Sequence, residues 1–250
     1  EPGSYGKIVK SSDILSTWKY EDVVTRYFRI PSVSQSADVQ PYHFFQGIVD
    51  NLSNAVKKRV ETSDRDVACL LSGGLDSSLI AALACKHYGK LNTYSIGMKG
   101  SEDLRNAKIV ADHIGSNHTE IELSESDFFN AIPQVIKVIE SFDTTTVRAS
   151  VGNYLVAKYI RDNSEDKVVL NGDGSDEVAG GYIYMLHSPS DIDFDTETRR
   201  LLSDIHFFDG LRSDRSVSSN GLEGRTPFLD KTFVSNYFLI PTHIRNPRSE

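Results

Sequence analysis

The chain has only two cysteines among 250 residues, Cys69 and Cys85, each inside an apolar run. Two are too few for a disulfide framework, and they predict small buried hydrophobes in a reducing compartment, which points to the cytoplasm. No apolar stretch reaches membrane-spanning length and no basic-then-apolar leader opens the sequence, so no membrane role is expected. Positive charge is in deficit: 27 lysines and arginines face 35 aspartates and glutamates, a formal net charge of -8. Bulk electrostatics therefore argue against nucleic acid as a partner, and any anionic ligand must be met by locally placed donors. The seven histidines show no ligand-like clustering, so no histidine metal centre is expected. The first residue is Glu1 rather than methionine, and the expectation is a fragment or a processed chain.

What is present is alternation. Residues 1–46 are irregular, with Gly3, Gly6, Pro31, Pro41 and the serine-rich SVSQSAD (32–38), and read as a connecting arm. Residues 47–250 read as one domain, opening on a helical face of Ile48, Leu52, Ala55, Val56 and Val60. Short apolar runs then alternate with amphipathic stretches. Strands are expected at 66–71, 92–98, 117–123 and 167–172. Helices are expected at 77–89 and 102–115, through Phe128 to Ile139 with a bend or restart at Pro133, and at about 150–162. That pattern predicts an α/β fold with a doubly wound parallel sheet, followed by a mainly helical C-terminal part. In such sheets ligands bind beyond the carboxyl ends of the strands, which puts the loops after Leu71, Met98 and Leu170 on one rim.

The loop SGGLDSS (72–78) is the first of these. Gly73 and Gly74 allow positive backbone torsions and let main-chain N–H groups approach a ligand. The helix that follows turns its N-terminus to the same spot, and Ser72, Ser77 and Ser78 add hydroxyls. A phosphate can be held there without lysine, so this is not a P-loop of the GxxxxGK[ST] type. Asp76 suits such a site only if a magnesium ion stands between carboxylate and phosphate.

SGGLDSS after a strand resembles the pyrophosphate loop of the ATP pyrophosphatases, a family with the adenine nucleotide alpha hydrolase-like fold. YSIGM (94–98), TTTVRASVGNYLVAKYIR (144–161), NGDGSDEVAGGYIY (171–184) and GLEGRTPFLD (221–230) resemble, in order, stretches of the asparagine synthetase catalytic domain. The resemblance implies ATP-dependent formation of β-aspartyl-AMP with release of pyrophosphate, followed by amination to asparagine. It implies ATP contacts at Leu71, Ser72, Gly73, Gly74, Asp76, Ser77, Ile96, Asn171 and Gly172, with magnesium on Asp76 and Asp176. Aspartate recognition falls to Thr145, Thr146 and Arg148, where a guanidinium suits a carboxylate. Arg225 and Asp230 read as structural support for the rim, and Trp18 and the GYIY tyrosines as packing residues. The implied partners are aspartate, ATP and ammonia, with a glutaminase domain or subunit outside this chain, and a homodimer is compatible with it.

Three departures qualify the resemblance. The family usually carries glutamate where this chain has Asp173, at a position associated with ammonia attack; a carboxylate drawn back by one methylene is expected to slow that step. The family continues past NPRSE into a lysine-bearing helix whose cation assists the pyrophosphate, so a chain ending here is expected to adenylate poorly. Neither cysteine is placed as the terminal nucleophile of a glutaminase. A β-lactam synthetase-like amide ligase and a degenerate nucleotide-binding module stay open as alternatives.

Overall fold

The strand expected at 66–71 forms β3 (Val67–Leu70), and its environment explains its continuous apolar character. In the computed structural model, which describes residues 2–10, 17–32 and 41–248, β3 is the middle strand of a five-stranded sheet. The sheet is wholly parallel, in the order β5-β4-β3-β6-β7. Its other members are β4 (Asn92–Met98), β5 (Asn117–Leu123), β6 (Val168–Leu170) and β7 (Glu223–Arg225). Val67, Cys69 and Leu71 face a core built with α1 (Tyr42–Glu61), α2 (Leu75–Tyr88), α3 (Glu102–Ile114) and α9 (Lys231–Tyr237). Ala68 faces the opposite core, made with α5 (Thr144–Asn163) and α8 (Asp209–Ser218). A strand covered on both faces has no polar side to show, so the alternation seen in half-exposed strands is absent. The expected doubly wound sheet is therefore present, and α4 (Glu125–Ile139) packs outside α5.

The chain lays down β3, β4 and β5 outward in one direction, then returns to place β6 and β7 on the other side of β3. The reversal opens a crevice between β3 and β6 at their carboxyl ends, where doubly wound folds bind ligands. The C-terminal third is helical as expected, with α6 (Ser175–Ala179), α7 (Asp191–Asp204), α8, α9 and α10 (Thr242–Arg245). No helix among the described residues is long and apolar enough to cross a membrane.

Several local expectations are corrected. The arm is not wholly irregular: β1 (Ser4–Lys10) and β2 (Trp18–Arg26) pair antiparallel, and Trp18 is exposed rather than packed. Most of SVSQSAD lies outside the described residues. α1 starts at Tyr42, so residue 47 falls inside it. α4 runs through Pro133 without a restart, because the proline sits on an exposed face and the carbonyl it deprives belongs to exposed Phe129. α5 begins at Thr144 rather than near 150, since Asp143 caps it by accepting from Thr146 N at 2.8 Å. β7 has no apolar run and exists through its pairing with β6.

One half-buried group makes stability depend on pH. His118 on β5 lies 2.9 Å from Thr93 Oγ1 through Nδ1 and 3.1 Å from Ser95 Oγ through Nε2, and burial lowers its pKa below the usual histidine range. The folded state therefore favours the neutral ring, and this contribution is present above about pH 6.5 and lost as pH falls through the folded value. The midpoint of thermal unfolding should fall between pH 7.5 and pH 5 by more in the wild type than in His118→Gln. Equal slopes would remove His118 from the account.

Candidate active site

The loop after β3 takes its shape from Gly73, whose φ is +80°. A Cβ there would fall 2.5 Å from Asn106 C and Ala107 N of α3, so only glycine lets the turn lie against that helix. Gly74 differs from expectation: its φ is -71°, and it is the N-cap of α2. It supplies no side-chain cap, whereas Ser101, Ser124, Asp143, Ser190 and Asp230 cap α3, α4, α5, α7 and α9. The first N–H groups of a helix have no partners within it, so an uncapped end in a crevice offers donors and positive potential to an anion. Ser72 Oγ and Ser77 Oγ lie 2.9 Å apart, and Ser72 N donates to Ser77 Oγ at 3.2 Å. These bonds brace the turn. The Ser78 hydroxyl is buried without a partner and lies outside the cavity lining.

The second wall is the loop after β6. A Cβ on Gly172 would come within 2.9 Å of Ser77 N and 3.0 Å of Asp76 Cβ, so the two loops touch and glycine is what lets them. Gly174, at φ +91°, presses on Leu229, which places the TPFLD segment beneath the rim. Asp230 itself caps α9 and pairs with Arg59 at 2.9 Å, while Arg225 donates to Arg59 O. Both act as structural support.

Between the loops lies a cavity of about 430 Å³. Ser72, Gly74, Asp76 and Ser77 line it from one side, and Asn171, Gly172, Asp173 and Asp176 from the other. Burial raises the Asp176 pKa, and the nearby Asp76 and Asp209 carboxylates raise it further. Two crowded carboxylates of this kind suit a hard divalent cation. Among the described residues no cluster of three or more histidine, cysteine, aspartate and glutamate side chains could hold a metal. A pair fits magnesium, which keeps waters and phosphate oxygens as its other ligands.

Asp173 accepts from Asn171 Nδ2 at 2.8 Å, and its Oδ1 lies 3.6 Å from Arg212 Nη2. Burial raises its pKa, against the lowering effects of Ser213, Arg212 and Asn171. Glu177 is buried, accepts from Tyr182 OH, and has its pKa raised by burial and by Asp209. Tyr182 is therefore a cavity residue as well as a packing one, its ring stacked on Tyr184 at 5.8 Å.

Other expected site residues stand elsewhere. Leu71 is buried at the end of β3, its N–H bonded to Tyr94 O, and it packs behind the cavity. Gly73 shapes the turn from outside the lining, and Ile96 packs in the α5-side core. Thr145 is exposed, and Thr146 spends its N–H and hydroxyl on Asp143. Arg148 is exposed on the outer surface between α4 and α5, beside Phe128 and Phe142. The cavity side chains that sequence reasoning missed are Leu70, Asn153, Ser175, Glu177, Tyr182, Asp209 and Arg212. Asp209 and Arg212, three residues apart at the start of a helix, carry no distinguishing signal, because that spacing is also that of a solvated surface pair.

Residues 47–194 and 186–249 match the family model described as asparagine synthase. An "Asparagine synthetase [glutamine-hydrolyzing]" of Homo sapiens is 48% identical over 203 residues, covering 79% of this chain and 36% of that protein. One of the same name from Gallus gallus is 46% identical over 202 residues, covering 78% of this chain and 36% of that protein. The chain thus spans about a third of the length of these relatives. Among solved structures, an NH3-dependent NAD synthetase from Campylobacter jejuni is 22% identical, covering 55% of this chain and 60% of that chain, with a TM-score of 0.39.

Proposed function

The chain belongs to the asparagine synthase family, and on that premise we propose that its cavity activates the side-chain carboxylate of aspartate with ATP and passes the product to ammonia. The observation that carries this reading is the meeting of the uncapped α2 N-terminus and Asp76 with the Asn171–Asp176 loop at the β3/β6 crevice. A phosphate chain lies against the N–H groups of the glycine turn and the first turn of α2. Asp76 and Asp176 hold magnesium, which when bound neutralises charge on the phosphates.

Aspartate's carboxylate oxygen attacks the α-phosphorus, the bond to the bridging oxygen breaks, and pyrophosphate leaves. Ammonia then attacks the acyl carbon of β-aspartyl-AMP, AMP departs, and one proton is released. Asp173, raised in pKa and facing the cavity, is the group placed to take that proton. Ammonia reaches the site free or from a glutaminase unit, in keeping with the glutamine-hydrolyzing name of the relatives.

The test is pyrophosphate release from ATP that depends on aspartate, measured with magnesium and ammonium on the protein that carries this chain. Asp173→Glu, which extends the carboxylate by one methylene, is expected to raise asparagine formation by roughly 10-fold or more while pyrophosphate release changes less. Absence of aspartate-dependent release from both proteins overturns the reading. Release with a bulkier carboxylate and none with aspartate moves it to another amide ligase.

A further inference from the structure

Arg212 is the only cationic side chain lining the cavity among the described residues, against the carboxylates of Asp76, Asp173, Asp176, Glu177 and Asp209. It is incompletely used. Its Nη2 lies 3.0 Å from Asp209 Oδ1 and 3.6 Å from Asp173 Oδ1, while its Nε is buried without an acceptor. A guanidinium has five N–H donors, and a buried one left unmatched is costly unless something arrives to accept it. Arg212 and Asp209 are three residues apart on α8, a spacing that on an open surface gives a solvated pair. Here their side chains are 21% and 19% exposed and form part of the cavity wall. Glu177 and Tyr182 line the same cavity close to Asp209, with the tyrosine hydroxyl donating to Glu177.

The head of an α-amino acid is a carboxylate and an ammonium on one carbon. A guanidinium beside a carboxylate is its electrostatic complement, and a forked donor adds directional selectivity. Resting on the functional reading above, we propose that the Arg212–Asp209 pair reads the zwitterionic head of the amino-acid substrate. Arg212 takes the α-carboxylate and Asp209 the α-ammonium. This puts specificity on α8, across the cavity from the glycine turn, and leaves Arg148 on the outer surface. It also defines the substrate class: an α-amino acid is accepted and a plain dicarboxylic acid is discriminated against.

Steady-state pyrophosphate release decides this, on the protein carrying this chain, with aspartate and with succinate, which lacks the α-ammonium. Arg212→Ala is expected to raise KM for aspartate roughly 10- to 100-fold with KM for ATP little changed. Arg212→Lys keeps the charge and loses the fork, so it gives a smaller rise in the same direction and serves if the alanine variant unfolds. Asp209→Asn should raise KM for aspartate and narrow the preference for aspartate over succinate. A defect in folding alone would lower apparent kcat through the active fraction and leave KM for aspartate and for ATP unchanged. An unchanged aspartate KM in Arg212→Lys together with a raised one in Arg148→Ala overturns the proposal and returns recognition to Arg148. An undiminished preference over succinate in Asp209→Asn removes the ammonium half. Absence of aspartate-dependent release from the wild type would instead overturn the function itself.

Discussion

Replacing Gly73 with alanine is expected to cost about 2–6 kcal/mol of stability and to abolish the nucleotide-dependent turnover proposed above. Two penalties combine. The residue sits at φ +80°, a region that strains any side chain with a Cβ. The added methyl would also fall 2.5 Å from backbone atoms of Asn106 and Ala107, so α3 itself would have to move. Backbone in the middle of a packed helix cannot shift as a flexible side-chain tip can. The glycine turn would give way first, and with it the alignment of α2 against the cavity. Gly74→Ala is the contrast: its φ is -71°, the nearest atom to a new Cβ is Ser72 Oγ at 3.5 Å, and the cost should stay below about 1 kcal/mol. Urea denaturation of both variants, with ATP-dependent pyrophosphate release, separates them. Equal stability of Gly73→Ala and wild type would show that the turn does not depend on its contact with α3.

Asp195→Ala should cost about 3–5 kcal/mol, with no direct effect on cavity chemistry. Asp195 on α7 accepts from Arg199 Nε at 2.7 Å and from Arg245 Nη2 at 2.5 Å. The two guanidiniums lie 4.9 Å and 4.5 Å from the centre of the Phe238 ring. Arg245 has only 2% of its side chain exposed, so deleting Asp195 leaves a buried cation with no counter-charge. Burial alone would raise the Asp195 pKa, but the bonds from Arg199 and Arg245 outweigh it and hold the carboxyl below its usual range. The stabilisation is therefore present above about pH 4 and lost as pH falls through the depressed value. Thermal unfolding should show a large drop for Asp195→Ala, and part of it should return when Arg245→Met removes the stranded charge. A drop of under about 1 kcal/mol would mean the cluster is solvated rather than buried.

The central strands were legible because both faces are covered. VACL and VVL are apolar at every position, NTYSIGM sets Tyr94, Ile96 and Met98 among small polar residues, and Gly89 and Gly115 mark where α2 and α3 end. Glu223-Gly224-Arg225 offers no such pattern, since β7 is held by pairing with β6 rather than by its own side chains. The start of α5 was hidden by three threonines, poor helix formers that an aspartate cap compensates. At the site, glycines and aspartates of the two rim loops could be read because turn geometry and metal chemistry constrain residue type locally. Arg212 could not: DGLRSDR has the look of a charged, solvated helix, and only the tertiary fold turns one face of it into the cavity. Arg148 shows the converse, a residue with the right chemistry whose position in the fold leaves it outside.

The pairing of β3 with β6, which sets Val67 opposite Val168, also has a consequence in time. During synthesis the glycine turn and α2 leave the ribosome long before Asn171 and Asp176 exist. A nascent chain can present one half of the pocket but cannot close it, because Gly172 must first seat against Asp76 and Ser77. The cavity is thereby left open until the sheet is complete, and an unfinished molecule has no assembled site for the chemistry proposed above.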